Sequence, residues 1–405
     1  MKILVIMWSM YIGGTTKSLV PFLKHLHKKG MEVELYLIDR SESSLSYVPE
    51  EIKIAEIPEL DEILCMPSNA REKIRWMMER RILHIALKQK VLTLFPKKDR
   101  EEHRKAVMRL YQERDLATCK NSKKIVDLSK RYDAVLSWCE FLPDYAVANN
   151  IVCNKKYGWI HPDYATGGFN PEIDKKALAG LTGLVAVSKS GYQSMLQAFP
   201  EWKDHIFAVP NVMDVENLRA LAKESQTEIP CDNTFKIVTV ARIHNISKAF
   251  DRAVRVAAKL KERGCEFCWY IVGDGEDKDS VNEQIIENNL QDNMKLLGAR
   301  DNPYPYMAAG NLFVLQSYYE GKPLVVDEAL VVGTPVLVTD YVSAKEQVSE
   351  KVGIVVKNHE DAITDTLERI IRNPQIAEEW KMNLQTYDLN YLTECPAFFE
   401  MINQN

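Results

Sequence analysis

The chain has 405 residues, 46% hydrophobic and 27% charged, which is the balance of a globular protein with enough length for two cores, not that of a disordered, fibrous or integral-membrane chain. The net charge of −5 hides an asymmetry: Ser68 to Arg131 holds 19 Lys and Arg against 8 Asp and Glu, a local +11 that leaves −16 for the rest. A chain-wide basic field for nucleic acid is excluded, whereas one basic stretch in an acidic protein calls for a partner of its own.

In chain order, Ile3 to Met7 is a continuous apolar run, Gly13-Gly14 follow, Thr15 and Thr16 can cap a helix, and Val33 to Ile38 is the next strand. The chain thus opens as a βαβ unit. The first apolar run is too short for a signal peptide, no apolar stretch reaches the roughly 18 residues of a membrane span, and eight cysteines are scattered without a disulfide framework. These features lead us to expect a cytoplasmic protein with free thiols.

From Arg71 to Phe95, Ile74, Met78, Ile82, Ile85 and Leu92 approximate one helical stripe, and Arg71, Arg75, Arg80, Arg81, Lys88 and Lys90 supply charge. Two readings stand side by side. One is a basic amphipathic helix for an anionic membrane surface, with residues 68–131 as the contact; the other is an ordinary helix with its stripe in the core and its charges in water. Further on, His161 sits between an apolar strand end and Pro162-Asp163, at a crevice rim or as a satisfied structural histidine. Pro210-Asn211 and the polar stretch Lys223 to Asn233 interrupt the pattern and mark a boundary, giving expected domains of 1–208 and 209–386 followed by a C-terminal piece, 387–405.

The second α/β domain restarts at Phe235 to Val240, with a helix from Ala249 to Arg263 and a strand from Phe267 to Val272. A helix over Asp279 to Asn289, strands at Lys295 to Leu297, Leu312 to Leu315 and Val336 to Thr339, and helices at Pro323 to Val332 and Asp361 to Ile371 follow. This alternation implies α/β architecture, two doubly wound Rossmann-like domains, with ligand at the carboxyl ends of parallel strands. The last stretch is apolar at Tyr391, Leu392, Phe398, Phe399, Met401 and Ile402 and needs burial.

The sharpest motif is Ser317-Tyr-Tyr-Glu-Gly-Lys-Pro-Leu-Val-Val-Asp-Glu328, directly after an apolar strand. Pro323 preorganises a first helical turn whose N–H groups, at Leu324 and Val325, can meet an anion or a sugar hydroxyl. Glu320 and Glu328 suit hydroxyl pairs on two parts of one ligand, and Arg242 with Lys248, after the first strand of the same domain, can neutralise a diphosphate. The plainer reading is a solvated acid at Glu320, a helix-face acid at Glu328 and solvated loop cations at Arg242 and Lys248. Asp277-Lys-Asp279 is a D-x-D, read as acids at a helix start, so no metal site is assigned.

The spacing Glu320-x7-Glu328, with Arg242, Lys248, Gly273-Asp-Gly275 and Pro210-Asn-Val-Met-Asp214, resembles the retaining family 4 glycosyltransferases of the GT-B fold over roughly Ile206 to Val356; in the first domain the resemblance rests on Gly13-Gly14 and Trp159-Ile-His161. It implies two Rossmann-like domains facing a cleft, a last helix that crosses back to the first domain, and no cofactor beyond a nucleotide-sugar donor, a UDP-sugar. It implies roles too: Arg242 and Lys248 for the diphosphate, Glu328 for the ribose, Glu320 with Gly321, Lys322, Pro323 and Leu324 for the donor sugar. His161 would approach that sugar, Gly14 would admit backbone close to phosphate or acceptor, Gly273 and Gly275 would shape the nucleoside pocket, and Arg300 would start the segment meeting the base. The activity implied is metal-independent transfer with retention to a glycan or lipid-linked acceptor in surface polysaccharide or glycolipid synthesis; a GT-B epimerase or phosphorylase, or a non-catalytic two-lobed binder, are the alternatives. Lys322 and Pro323 replace an aromatic and a glycine often found there, Ala249 replaces a glycine after the lysine, and Asn311 stands where aspartate is frequent.

Overall fold

Runs of consecutive apolar residues become strands covered on both faces, as parallel sheets require. The computed structural model describes residues 1–11, 13–95, 99–224 and 227–404. Pro96 to Lys98 of the basic stretch, Ser225 and Gln226 of the boundary stretch, and Asn405 lie outside them. The chain divides into two units, Met1–Met213 with Glu394–Asn405, and Asp214–Thr393.

Among the described residues the first unit carries nine strands: β1 (Lys2–Met7), β2 (Glu32–Leu37), β3 (Lys53–Ile54), β4 (Val126–Asp127), β5 (Ala134–Ser137), β6 (Ile151–Val152), β7 (Lys155–Ile160), β8 (Gly183–Ala186) and β9 (Ile206–Ala208). Seven form a parallel sheet ordered β3-β2-β1-β5-β7-β8-β9, and β4 pairs with β6 beside it. Alternate residues of β1 serve the two faces: Leu4 and Ile6 join one buried cluster, Ile3, Val5 and Met7 the other. The helix Pro396–Asn403 buries Phe398, Met401 and Ile402 in that second cluster, and Lys155 Nζ donates to the Ile402 carbonyl at 2.7 Å, so the end of the chain belongs to this unit's core.

The basic stretch departs from the single helix expected over Arg71 to Phe95. It forms two helices, Ala70–Glu79 and Leu83–Leu94, because Arg81 takes a left-handed φ of +57° and Arg80 turns inward. The Arg80 guanidinium donates to the Glu62 carbonyl at 2.6 Å and lies 4.1 Å from the Trp76 ring centroid. The expected stripe is split by that break: Ile82 and Ile85 are buried, whereas Ile74 and Met78 face solvent. The helix Ala70–Glu79 buries none of its residues.

The second unit holds β10 (Phe235–Val240), β11 (Phe267–Val272), β12 (Met294–Gly298), β13 (Leu312–Leu315), β14 (Val336–Thr339) and β15 (Gly353–Val356), a parallel sheet ordered β12-β11-β10-β13-β14-β15. The order reverses between β10 and β13, the place where doubly wound sheets open a crevice at their carboxyl ends. The helix Phe250–Glu262 covers the sheet with Phe250, Val254, Ala257 and Leu260 buried. β15 escapes a periodicity reading because it is short and begins with a glycine, whose missing side chain is needed: a Cβ at Gly353 would stand 2.3 Å from the Val336 carbonyl oxygen of β14.

Candidate functional site

Both segments that frame the β10/β13 switch point carry charge. After β10, the turn Asn245–Lys248 presents Lys248; after β13, the loop Gln316–Pro323 presents Glu320. The two meet: Lys248 Nζ bonds Glu320 Oε1, and Ser317 Oγ donates to the same oxygen at 2.6 Å. Both side chains keep partial exposure, 23% for Lys248 and 12% for Glu320, so the pair is held by geometry yet open to a competing ligand.

Ala249, next in the chain, takes a left-handed φ of +56°, which explains why glycine suits that place: a Cβ costs about 1–2 kcal/mol there. The turn before it is capped from the glycine loop, where Asp277 Oδ2 accepts from the Asn245 backbone N–H at 2.6 Å. Asp277 of the D-x-D is therefore a cap, and no cluster of three or more His, Cys, Asp or Glu that could hold a metal ion exists among the described residues. Gly273 and Gly275 lie against the β10 loop: a Cβ would stand 1.9 Å from the Ala241 carbonyl oxygen and 2.2 Å from that of Ile243. Close approach of two backbones, with Ile243 N–H donating to the Asp274 carbonyl at 2.9 Å, is reason enough for both glycines.

Arg242 stands apart from the Lys248–Glu320 pair. It is largely exposed, and its Nε bonds Glu276 Oε2 at 3.0 Å, with His244 Nε2 3.5 Å from the other carboxylate oxygen. The Glu276 carboxyl is held below the usual range by its own backbone N–H and then by the neighbouring Arg242 guanidinium. Glu276 and His244 are not singled out from sequence, and Ser317 only as the first residue of the motif that holds Glu320; the acid directly after Gly273-Asp-Gly275 is the one signal for Glu276.

The helix over residues 324–331 starts one residue later than expected, with Pro323 as its N-cap and Leu324 as its first residue. Its first N–H groups have no acceptor within the helix. Gly321 is fixed by Ser343 Oγ, which donates to its carbonyl, and Gln347 Nε2 donates to the Pro323 carbonyl at 3.1 Å and to Asp327 Oδ2 at 3.0 Å. Lys322 is half-buried, and its charge bears on Asp327, whose carboxyl burial pushes up to about 6. Glu328 is buried and accepts from the Tyr304 hydroxyl at 3.2 Å. Arg300 donates to the Tyr306 hydroxyl and to Glu228, each at 2.9 Å. Asn311 serves β10 as an aspartate would, its Oδ1 accepting from the Lys236 N–H at 2.8 Å.

In the first unit, His161 follows β7. Its Nε2 lies 2.8 Å from the Trp138 carbonyl, which can only accept, so Nε2 carries a proton. Gly14 opens the helix Gly14–Lys28, and a Cβ there would meet nothing within 4 Å. Space at that point therefore does not demand a glycine.

The model of the family described as glycosyl transferases group 1 matches residues 223–386. Among curated relatives, the chain is 29% identical over 185 residues to the putative glycosyltransferase EpsF of Bacillus subtilis, covering 44% of this chain and 47% of the relative. It is 26% identical over 230 residues to a Campylobacter jejuni N-acetylgalactosaminyltransferase named for a diacetylbacillosaminyl-diphospho-undecaprenol substrate, 55% and 61% of the two chains. It is 25% identical over 237 residues to the Staphylococcus aureus poly(ribitol-phosphate) alpha-N-acetylglucosaminyltransferase, 56% and 45%. The chain thus spans about half the length of the curated relatives it matches. Solved structures align over the whole chain: S. aureus TarM, crystallised with UDP, at a TM-score of 0.67 and 14% identity, covering 100% of both chains, and Anabaena HepE in complex with UDP-glucose at 0.65 and 16%, covering 100% and 97%. Residues 223–386 are thus similar to the group 1 glycosyl transferases, and the chain has the GT-B fold of these solved structures.

Proposed function

We propose that the protein transfers a hexose, with retention and without a metal ion, from a UDP-sugar to a glycan or lipid-linked acceptor in surface polysaccharide or glycolipid synthesis. The observation that carries this reading is the Lys248–Glu320 pair at the switch point of a sheet whose sequence matches that family. The names of the relatives, which include transfer to poly(ribitol-phosphate) and an undecaprenol-linked substrate, and neighbours crystallised with UDP or UDP-glucose support the donor and acceptor classes.

On this reading the pair separates when the donor enters. Lys248 turns to the diphosphate, whose charge grows as the bond from anomeric carbon to phosphate oxygen breaks, and Glu320 takes a hydroxyl of the sugar. Arg242 and the N–H groups at Leu324 and Val325 add positive potential, Glu328 holds the ribose, and the Arg300 segment meets the base. The acceptor oxygen bonds to the anomeric carbon on the face the phosphate leaves, and its proton passes to the departing phosphate. His161 is held in place by its Nε2–H, and His161→Ala tests the role that the resemblance gives it.

The basic stretch is read as the anionic-membrane contact, keeping the protein at the inner face of the plasma membrane. Ile74, Met78, Leu87, Val91, Leu94 and Phe95 are all more than half exposed among Arg71, Lys73, Arg75, Lys88 and Lys90, which supports a surface that takes both lipid and charge. No helix among the described residues is long and apolar enough to cross a membrane.

The deciding experiment is a thermal-shift panel of UDP-glucose, UDP-N-acetylglucosamine and UDP-N-acetylgalactosamine, followed by anomeric analysis of the product and a repeat in chelator. Stabilisation by one donor, an axial product from an axial donor and undiminished turnover in chelator are expected. Inversion, metal dependence or phosphate-driven cleavage of a glycan without nucleotide would each overturn the corresponding part.

A further inference from the structure

In the second unit one cation is buried among neutral hydrogen-bond partners. Arg252, on the helix Phe250–Glu262, is 3% exposed. Its Nη2 donates to the Gln316 carbonyl and its Nη1 to Asn358 Oδ1 at 2.6 Å, while the guanidinium lies 4.4 Å from the Tyr318 ring centroid. Removing a guanidinium from water with no carboxylate to receive its hydrogen bonds is costly, and an apolar side chain of similar volume would avoid that cost. What an apolar side chain cannot do is orient an amide.

With Oδ1 engaged by Arg252, the Asn358 amide must direct Nδ2 the other way, where it donates to the Tyr318 carbonyl at 2.8 Å and reaches that of Ser317 at 3.4 Å. Thr339 Oγ1 donates to the Ser317 carbonyl at 2.6 Å, and Gln316 Nε2 reaches the carbonyl of Ala249, the residue after Lys248, at 3.0 Å. The carbonyls of 316, 317 and 318 are therefore all held from outside the loop, immediately ahead of Glu320, by a frame that also touches the segment bearing Lys248.

We propose that Arg252 and Asn358 are positioning residues, which act through the Gln316–Tyr318 backbone to hold Glu320 where it meets Lys248 and, when the donor is bound, the sugar. The loop after β13 would otherwise be a flexible connection, and misplacement by about 1 Å at a reacting centre can cost ~100-fold in rate. This inference rests on the role given to Glu320 above.

Two substitutions separate the parts. Arg252→Lys keeps the charge but replaces a planar fork by a point donor, and Asn358→Asp keeps the acceptor for Arg252 while removing the donor to Tyr318. In the full chain without ligand, hydrogen exchange of residues 317–322 is expected to quicken about fivefold or more in both variants while β10 and β11 keep their protection. Turnover of the best UDP-sugar of the panel should fall about tenfold or more, with UDP affinity changed less than about threefold. Placed on Glu320→Asp, either substitution should cost less than about threefold more, because both act through one carboxylate. Unchanged exchange in the loop, or an equal loss with and without Glu320→Asp, overturns the proposal. If Glu320→Asp itself turns over like the parent, the role of Glu320 fails instead, and the exchange measurement still reports on the frame. Should Arg252→Lys not fold, Asn358→Asp carries the same measurements.

Discussion

The loop before Glu320 and the helices between Ala70 and Leu94 both gather charge, and they hold it in opposite ways. At Glu320 the backbone carbonyls are tied by buried side chains, and charged groups pair within the unit. At Ala70–Leu94, long apolar side chains stand in water next to cations, and the first of the two helices buries nothing. The first arrangement limits motion of the loop; the second leaves apolar area unburied. Rigidity and stickiness are thus built from the same residue types by burying the polar part in one region and exposing the apolar part in the other.

That contrast can be broken most directly at the pair itself. Glu320→Gln and Lys248→Ala are each expected to lower turnover by ~10²–10³-fold with an unchanged melting temperature, measured with the panel's best donor; Arg242→Ala, whose side chain is exposed and engaged with Glu276, should cost only about tenfold. Equal losses for Arg242 and Lys248 would show that the exposed cation matters as much as the enclosed one.

A second test uses burial. Asp327 is fully enclosed and its carboxyl is pushed up to about 6, burial outweighing Lys322 and the Gln347 amide. A folded-state value above the ordinary 3.8 means that the fold prefers the protonated form, so stability present below about pH 4 is lost as pH rises through 6, on the order of 2–3 kcal/mol. Asp327→Asn, which keeps an acceptor for Gln347, should raise the melting temperature at pH 8 and leave it unchanged at pH 4. A gain of the same size at both values would contradict this account.

On the other side of the comparison, Ile74→Glu with Met78→Glu, or Leu94→Glu with Phe95→Glu, should weaken binding to anionic vesicles by about tenfold or more at low salt without shifting the melting temperature. Ile82→Glu, one break away but buried, should instead destabilise by about 3 kcal/mol or more. Vesicle binding that survives both exposed pairs would remove the membrane from the assignment of residues 68–131. The smallest effect is expected at Ala249, where glycine relieves a left-handed alanine: Ala249→Gly should be neutral or stabilising by up to about 1 kcal/mol, whereas Ala253→Gly in the following helix should cost about 1 kcal/mol.

Much of the second unit was readable in advance because its elements are long and punctuated. Phe235 to Val240 and Phe267 to Val272 are runs that only a covered strand explains, and Gly264 closes the helix between them with a φ of +71°. The first unit was readable for its opening βαβ and for the apolar strand end before His161; β5 and β8 are four-residue strands whose apolar runs are too short to distinguish from buried turns. The basic stretch was misread as continuous because periodicity counts apolar residues and cannot see that Arg80 turns inward.

By itself the sequence determined the repeated α/β architecture, the charge asymmetry and the identity of the ionisable residues near the switch point, since these follow from local periodicity and from chemistry carried by single side chains. Tertiary structure alone decided who meets whom. It paired Lys248 with Glu320 and Arg242 with Glu276, turned Asp277 into a cap, and brought Asn358, more than a hundred residues from Arg252 in the chain, into the frame around the Glu320 loop. Hydrogen bonds of that kind depend on distances set to within a few tenths of an ångström between segments far apart in sequence, and no local pattern records them.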